Sequence, residues 1–272
     1  MPPPSRSWLV TAALPLVLLL AGCGGGDSVA APGTAGAALS PSVSSQPAAE
    51  VSEATRPARP ARPQLLDPAD GYALSPTGRD LVVRDAPDGG VLHELDAVRE
   101  TGAPLTLLLA ADAGDGWFEV LLPVRPNGST GFVAASDVTV ARVTHRLVMS
   151  VETNELFVYD EDRLLRTMPA ASGTGDTPTP LGRFFLTELL EPTNAGYGPY
   201  AYGTSGFSEV LTSFGGGPGQ IGLHGTDDAA SVGRAVSHGC IRLSDGDITY
   251  LAELLPLGTP IDVVASSDLL EG

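Results

Sequence analysis

Short runs of alternating apolar and polar residues dominate the chain from about residue 70 onward. Between residues 70 and 141, four such runs begin near positions 81, 104, 116 and 130, with turn residues between them. Alternation with a period of two places successive side chains on opposite faces of a strand, and short strands at this spacing are typical of a small barrel. We therefore predict a small β-barrel domain over residues 70–141.

The alternating pattern continues beyond residue 142 with three strands and two turns, at Thr153–Asn154 and Glu161–Asp162. Consecutive alternating runs of this kind predict antiparallel sheet. Residues 244–247 fit a capping box for one short helix with an apolar stripe, which Pro256 ends, and a last strand begins at Thr259. The interpretation is a mainly β domain over residues 142–266 with a short helix.

A stretch rich in glycine, proline and tyrosine, residues 190–219, lacks regular periodicity. Connections of that length usually have a function, so the pattern predicts a flap that lines a cleft. Tyr197, Tyr200 and Tyr202 are candidate substrate contacts in this flap, and inert packing would explain them equally well.

The first 69 residues differ from the rest in composition. Arg6 precedes an apolar run over residues 8–20, which predicts a signal peptide over residues 1–22 that is too short to span a membrane. Residues 23–69 are rich in alanine, proline, serine and glycine, and this composition predicts a disordered linker. The protein is therefore expected outside the cytoplasm.

The end of the signal peptide, Leu20-Ala21-Gly22-Cys23, resembles a bacterial lipobox. In a lipobox the cysteine becomes the lipidated first residue of the mature protein, so the resemblance implies a lipid anchor at Cys23 that holds the protein on the cell membrane, facing the cell wall. An ordinary secretory signal with a chance cysteine is the alternative.

The charge of the chain argues against one class of partner. The formal net charge is −17, and all fifteen basic residues are arginine. A strongly acidic chain argues against nucleic acid as a partner. Either adaptation to high external salt or a GC-rich genome would explain the absence of lysine.

Cys240 is the chain's candidate nucleophile. If Cys23 carries lipid, Cys240 is a lone thiol in an exported protein, and such a thiol calls for an explanation. A thiol attacks as thiolate, so it needs a base or cation to act on a pKa that starts near about 8.5. His224 and His238 are the available bases. Core packing of the cysteine, or a zinc site that would lack a fourth ligand, are the alternatives.

The spacing of the two histidines suggests different roles. His238 lies two residues before Cys240 and would share a face with the thiol if residues 237–243 form one strand. His224 lies between two glycines and would approach as the chain folds back. The backbone amides of Gly239 and Cys240 are candidate donors to an oxyanion.

The segments HGT at 224–226 and AVSHGCIRL at 235–243 resemble the active-site signature of the L,D-transpeptidases with a YkuD-type catalytic domain. TPTPLGRF at 177–184 and GYGPYAYG at 196–203 resemble further segments of that family. The resemblance implies that Cys240 is acylated, that His224 is the base with its ring oriented by the Gly225 carbonyl, and that His238 has a supporting role.

Three residues are candidate substrate-binding residues: Ser237, Arg242 and Tyr202. Arg242 would meet a substrate carboxylate with two parallel hydrogen bonds. A structural ion pair with Asp227, Asp228 or Asp245 is the alternative for Arg242.

The resemblance also implies an activity, with no cofactor or metal. The substrate would be the tetrapeptide stem of peptidoglycan, and the product a 3→3 cross-link between stems in the cell wall. An L,D-carboxypeptidase with the same acyl-enzyme is one alternative, and a non-catalytic wall-binding lipoprotein is another. Cysteine endopeptidases of the wall place the cysteine before the histidine, an order opposite to that found here. We expect a monomer.

The first domain has its own resemblance. The succession VRDAP, GWFEV and GFV within residues 83–133 resembles a bacterial SH3-like domain. Three roles remain open for it: binding of peptidoglycan, a rigid spacer, or a wall of the catalytic cleft.

Overall fold

The computed structural model describes residues 71–266, and within them strands predominate over a single α-helix. The prediction of a mainly β protein is confirmed. The predicted signal peptide over 1–22, the linker over 23–69 and Cys23 lie outside the described residues. No helix within residues 71–266 is both long and apolar enough to cross a membrane.

The first sheet has seven strands in the order β3-β2-β6-β5-β4-β1-β7, and its neighbours pair antiparallel. The strands are β1 Tyr72–Pro76, β2 Leu81–Arg84, β3 Val91–Leu95, β4 Leu107–Gly114, β5 Trp117–Leu121, β6 Thr130–Ala134 and β7 Val138–Arg142. Arg142 pairs with Tyr72 and so belongs to this sheet, one residue beyond the predicted end of the domain. The likeness to an SH3-like barrel stays a prediction.

The second sheet has eight strands in the order β10-β9-β8-β17-β12-β13-β14-β16. Its pairs are antiparallel except β17 with β8 and β14 with β16. The strands are β8 His145–Ser150, β9 Glu155–Asp160, β10 Arg163–Pro169, β12 Gly182–Leu190, β13 Ala201–Phe207, β14 Gln220–His224, β16 Ile241–Arg242 and β17 Pro260–Val264. Two further strands, β11 Ser172–Gly173 and β15 Ala235–Ser237, form a parallel pair beside it.

Local sequence signals define the turns and the helix of this second sheet. Asn154 and Glu161 have φ values of 54° and 53°, so both predicted turns are confirmed. Helix α1 spans Asp245–Leu254, and the Ser244 hydroxyl accepts the Asp247 amide at 3.2 Å. The same amide also donates to the Ser244 carbonyl at 3.1 Å, so the hydroxyl adds a second acceptor at the start of the helix.

The long irregular stretch predicted over 190–219 is interrupted by a strand. β13 lies between β12 and β14 in the interior of the sheet, and most of its residues are buried. The prediction of a continuous flap was therefore wrong over 201–207. These residues are mainly small and polar, so tertiary packing, and not an alternating apolar pattern, makes them a strand. The irregular loops on either side are residues 191–200 and 208–219.

The two sheets share apolar packing. Phe185 of β12 is fully buried among core residues of the first sheet, such as Leu74 and Leu107. Gly258, just before β17, lies so close to Ala73 that a Cβ at position 258 would come within 2.5 Å of the Ala73 Cβ. The first sheet is thus packed directly against the second.

Candidate active site

Cys240 and His224 meet at the parallel pair formed by β14 and β16, where His224 lies opposite Arg242. Cys240 directly precedes β16, and the Gly222 amide of β14 donates to its Sγ at 3.3 Å. A Cβ built on Gly222 would lie 3.6 Å from His224 Cδ2 and 3.7 Å from Cys240 Sγ. The missing side chain of Gly222 therefore leaves a space that the histidine ring and the thiol both border.

One strong hydrogen bond fixes the orientation and tautomer of His224. Its Nδ1 lies 2.6 Å from the Gly225 carbonyl oxygen. Because a carbonyl oxygen only accepts, Nδ1 carries the proton, and Nε2 of the neutral ring is left with a lone pair. The side chain is a buried one, with 4% of the residue exposed. The arrangement therefore presents a base.

The Tyr197 ring covers the His224 ring, with centroids 4.6 Å apart and planes tilted by 44°. Tyr197 ends a short 3-10 helix, Ala195–Tyr197, which is followed by Gly198 at φ 64°. A Cβ at position 198 would lie 2.6 Å from the Gly225 Cα. Glycine at position 198 thus allows the Tyr197 loop to pack against the residue whose carbonyl orients His224.

Burial sets the protonation of the pair. It lowers the pKa of His224 to about 4, with the Gly225 hydrogen bond acting in the opposite direction and the Arg242 charge adding to the decrease. Burial also raises the pKa of the Cys240 thiol, against the Gly222 hydrogen bond and the Arg242 charge, which lower it. At neutral pH the resting pair is therefore an uncharged imidazole and an uncharged thiol.

The segment that carries Cys240 turns sharply and is not one strand. β15 ends at Ser237, β16 begins at Ile241, and Gly239 between them has φ 115°. The prediction of a continuous strand over 237–243 was wrong because the backbone at Gly239 leaves the extended region that alternation requires. Cys240 is half-buried, whereas His238 is exposed.

Residues 173–179, which lead into and overlap the TPTPLGRF segment, form hydrogen bonds to this turn. The Thr179 hydroxyl donates to the Gly239 carbonyl at 2.9 Å and accepts the Gly173 amide at 2.9 Å. The Thr174 amide donates to the Ser237 carbonyl at 3.0 Å. Sequence reasoning assigned no role to Thr179, although the motif that contains it was recognised. Its buried hydroxyl fixes the turn that presents the thiol.

A family model and several known proteins are similar in sequence to the part of the chain that carries this site. A family model for the YkuD L,D-transpeptidase catalytic domain matches residues 144–263. The L,D-transpeptidase-type protein YqjB of Bacillus subtilis is 31% identical over 129 residues, which are 42% of this chain and 68% of YqjB. The chain belongs to the L,D-transpeptidase family. The YkuD protein of Bacillus licheniformis is 29% identical over 152 residues, covering 53% of this chain and 85% of the relative.

Among solved structures, an L,D-transpeptidase from Mycobacterium smegmatis aligns with a TM-score of 0.37 at 19% identity. The alignment covers 60% of this chain and 92% of that one.

Tyr202 of the L,D-transpeptidase domain is a core residue, so its prediction as a substrate contact was wrong. Only 1% of it is exposed, and its hydroxyl donates to the carbonyls of Leu251 and Leu255 at 3.1 and 2.9 Å. Both carbonyls lie at the C-terminal end of α1, where the Leu255 amide also donates to the Leu251 carbonyl, at 2.9 Å. Burial raises the pKa of the phenol, which remains a neutral donor.

Replacing Tyr202 with phenylalanine tests this assignment. The change removes the donor to two carbonyls at the end of α1, and we expect the free energy of unfolding to fall by about 1–3 kcal/mol. The KM and kcat of the transpeptidase should not change, because the hydroxyl faces the core. Urea denaturation measures the stability and steady-state kinetics measure KM and kcat. A raised KM without loss of stability would show that Tyr202 contacts the substrate after all.

Ser237 is likewise unavailable to substrate, because it is 1% exposed and both its bonds stay within the turn. Its hydroxyl donates to the Cys240 carbonyl at 2.6 Å and accepts the Gly239 amide at 3.0 Å. The substrate-binding prediction for Ser237 was therefore wrong. Since the Gly239 amide is already occupied, the geometry favours the Cys240 amide over that of Gly239 as an oxyanion donor.

His238 and Arg242 lie at the edges of the site. The His238 ring stacks on Phe214, with centroids 5.3 Å apart and planes 30° from parallel. Among the described residues, no ion pair joins Arg242 to Asp227, Asp228 or Asp245, so the structural alternative for Arg242 was wrong. Its backbone bonds to Ala171 in both directions, at 2.8 and 3.1 Å.

Metal ligation was the remaining alternative for the cysteine. Within residues 71–266, no group of three or more histidine, cysteine, aspartate or glutamate side chains is placed to hold a metal ion.

Proposed function

We propose that the protein is a cysteine-dependent L,D-transpeptidase that acts on the tetrapeptide stems of peptidoglycan and forms 3→3 cross-links. The observation that carries the proposal is the space beside Gly222, which is bordered by both the Cys240 thiol and the His224 imidazole of fixed tautomer. In this proposal Cys240 is the nucleophile and His224 the general base.

The first half of the reaction forms a thioester. As the Cys240 sulfur attacks the carbonyl on the L-centre of diaminopimelate, His224 Nε2 takes the thiol proton. The Gly222 amide, which already donates to Sγ, stabilises the developing thiolate. The Cys240 amide would hold the oxyanion. The intermediate collapses as His224 returns the proton to the departing D-alanine amine, which leaves the acyl group on sulfur.

The second half of the reaction regenerates the thiol. An amine of a second stem attacks the thioester, and its proton passes through His224 to the leaving sulfur. This step forms the 3→3 cross-link. If water attacks in place of the amine, the product is a trimmed tripeptide stem and the enzyme is a carboxypeptidase.

Arg242 supplies a positive charge beside this chemistry. Its charge lowers the pKa of both catalytic groups and has no acidic side-chain partner among the residues named above. We propose that it binds a carboxylate of the stem peptide, for which a guanidinium offers two parallel donors.

The proposed location is outside the cytoplasm, with a lipid at Cys23 anchoring a monomer to the membrane and the catalytic domain facing the wall. This part of the proposal depends on the lipobox-like sequence Leu20-Ala21-Gly22-Cys23. Metabolic labelling with a lipid probe, compared between the natural chain and Cys23→Ser, tests it. Equal labelling of the two would exclude the anchor.

Incubation of the protein with tetrapeptide muropeptides, followed by mass spectrometry of the products, tests the activity. Dimers with loss of one D-alanine support the transpeptidase. Tripeptide monomers without dimers would replace it with the carboxypeptidase. Unchanged muropeptides would favour a non-catalytic wall-binding lipoprotein.

The pKa of His224 predicts the pH dependence of acylation. Because burial lowers that pKa to about 4, His224 is neutral and basic above that value and becomes protonated as the pH falls through it. The rate of acylation by a carbapenem, followed by intact mass, should therefore decline on the acidic side with a midpoint near about 4. A midpoint near about 6.5, the value of a solvated imidazole, would contradict the assignment of the buried ring.

A further inference from the structure

Of the two loops on either side of β13, the second, residues 208–219, lies beside the nucleophile. From here on the word flap means this loop alone and not the whole predicted stretch over 190–219. Phe214 near its tip stacks on His238, two residues from Cys240, and is itself 44% exposed. The tip is closed by paired hydrogen bonds between Phe214 and Gly217, at 3.1 and 2.9 Å. An aromatic ring is therefore held over the exposed edge of the active site by a loop with little apolar packing of its own.

The base of the flap is bonded to the first sheet. Arg125, in the loop between β5 and β6, donates to three carbonyl oxygens: Ser208 at 2.7 Å, Pro218 at 2.9 Å and Leu211 at 3.3 Å. A guanidinium has five donors in a rigid plane, so a single side chain ties both ends of the flap together. The same guanidinium lies over the Phe207 ring, 4.9 Å from its centroid.

A second residue of the same loop completes the contact. The Asn127 side chain accepts the Phe207 amide at 2.9 Å and donates to the Phe207 carbonyl at 2.8 Å. This side chain thus satisfies both backbone groups of Phe207, the last residue of β13 and the residue just before the flap. Together Arg125 and Asn127 form what we call the clamp.

Glycine at position 219 allows the Arg125 guanidinium and the Leu211 carbonyl to lie close to the backbone at the end of the flap. Gly219 has φ 73°, and a Cβ there would lie 3.2 Å from an Arg125 Nη atom and would clash with the Leu211 carbonyl. The ends of the flap therefore approach each other beneath the guanidinium at a distance that no side chain would allow. The first sheet is a firm support for this contact, because Phe185 is buried in its core.

We propose that Arg125 and Asn127 are positioning residues for acyl transfer at Cys240, and that they act through the flap by holding Phe214 against His238. The expected effect on the rate of cross-linking rests on the proposed function, whereas the contact between Phe214 and His238 does not. The proposal also chooses among the three roles left open for the first sheet. It makes that sheet part of the catalytic cleft, in addition to any role as a spacer or a wall-binding module.

The test uses the full chain and four variants. Arg125→Ala and Asn127→Asp break the clamp, the latter by placing a carboxylate oxygen against the Phe207 carbonyl. Phe214→Ala removes the flap's ring. Thr101→Val is the matched control, because it removes another bond between the two sheets, that of the Thr101 hydroxyl to Glu188 at 2.5 Å, outside the flap. Thermal unfolding of each variant measures folding separately.

The direct readout is the NMR signal of the His238 ring, assigned with His238→Gln. Phe214 stacked on this ring shifts its proton resonances by the ring current. In Arg125→Ala and Asn127→Asp these resonances should move toward their positions in Phe214→Ala, while Thr101→Val leaves them unchanged. If the clamp variants keep the natural positions, or if Thr101→Val moves them equally, the proposal fails.

The kinetic readout tests the link to function. Misplacement of the flap should lower kcat/KM for cross-linking by about 10- to 100-fold in each clamp variant. The double variant Arg125→Ala/Phe214→Ala should be no worse than Phe214→Ala alone, because both changes act through one contact. Additive losses would contradict a path through Phe214. Since the NMR signal needs no turnover, an inactive natural chain would refute the proposed function and still leave the clamp testable.

Discussion

Replacing Cys240 with alanine is expected to lower the rate of tetrapeptide consumption by about 1,000-fold or more, as removal of a covalent nucleophile does. The variant should also form no thioester with a carbapenem. Cys240→Ser is the matched variant: it keeps a small polar group near the Gly222 amide but lacks the acidity of a thiol. Intact-mass spectrometry measures the adduct and product analysis the turnover.

Folding of both cysteine variants is checked by thermal unfolding, since the side chain is half-buried. The same carbapenem adduct on Cys240→Ala would mean that another group is acylated. Unchanged processing of muropeptides by the alanine variant would overturn the assignment of the nucleophile.

The second large effect is expected at His224, where alanine should lower kcat/KM by about 100- to 10,000-fold through loss of the general base. Alanine at His238 should cost far less. The reason is positional: His224 Nδ1 is fixed by the Gly225 carbonyl and its ring borders the space beside Sγ, whereas His238 is exposed and stacks on Phe214.

Kinetics of carbapenem acylation and of cross-linking should rank the two histidine variants in the same order. Equal losses would show that the base has been assigned to the wrong residue or is shared. A larger loss at His238 would reverse the assignment.

Local signals in the sequence were sufficient for two turns and for the helix of the second domain. The turns at Asn154 and Glu161 follow from residues with positive φ between alternating runs, and α1 follows from its Ser244 cap and apolar stripe. Both are encoded within about ten residues. The motif around Cys240 was equally informative about the family, because the combination of residue types is specific.

The fine geometry of the site depends on contacts between segments far apart in the chain, which local patterns do not encode. Tyr202 was predicted at the cleft because it lies in the irregular stretch interpreted as a flap, yet its hydroxyl bonds to carbonyls at the end of α1. Ser237 is bonded within its own turn, and the break at Gly239 is held by Thr179, sixty residues earlier. Arg125 had no signal at all, since its partners are carbonyl oxygens of the backbone.

The central claim is that the acyl group of the stem peptide is carried on Cys240. The most direct measurement is to mix the protein with a tetrapeptide muropeptide without an acceptor amine, quench in acid, and map the modified peptide by tandem mass spectrometry. We predict a thioester on Cys240 that carries the stem shortened by its terminal D-alanine, and its absence in Cys240→Ala. A modification on any other residue, or turnover without any adduct that depends on Cys240, would contradict the account.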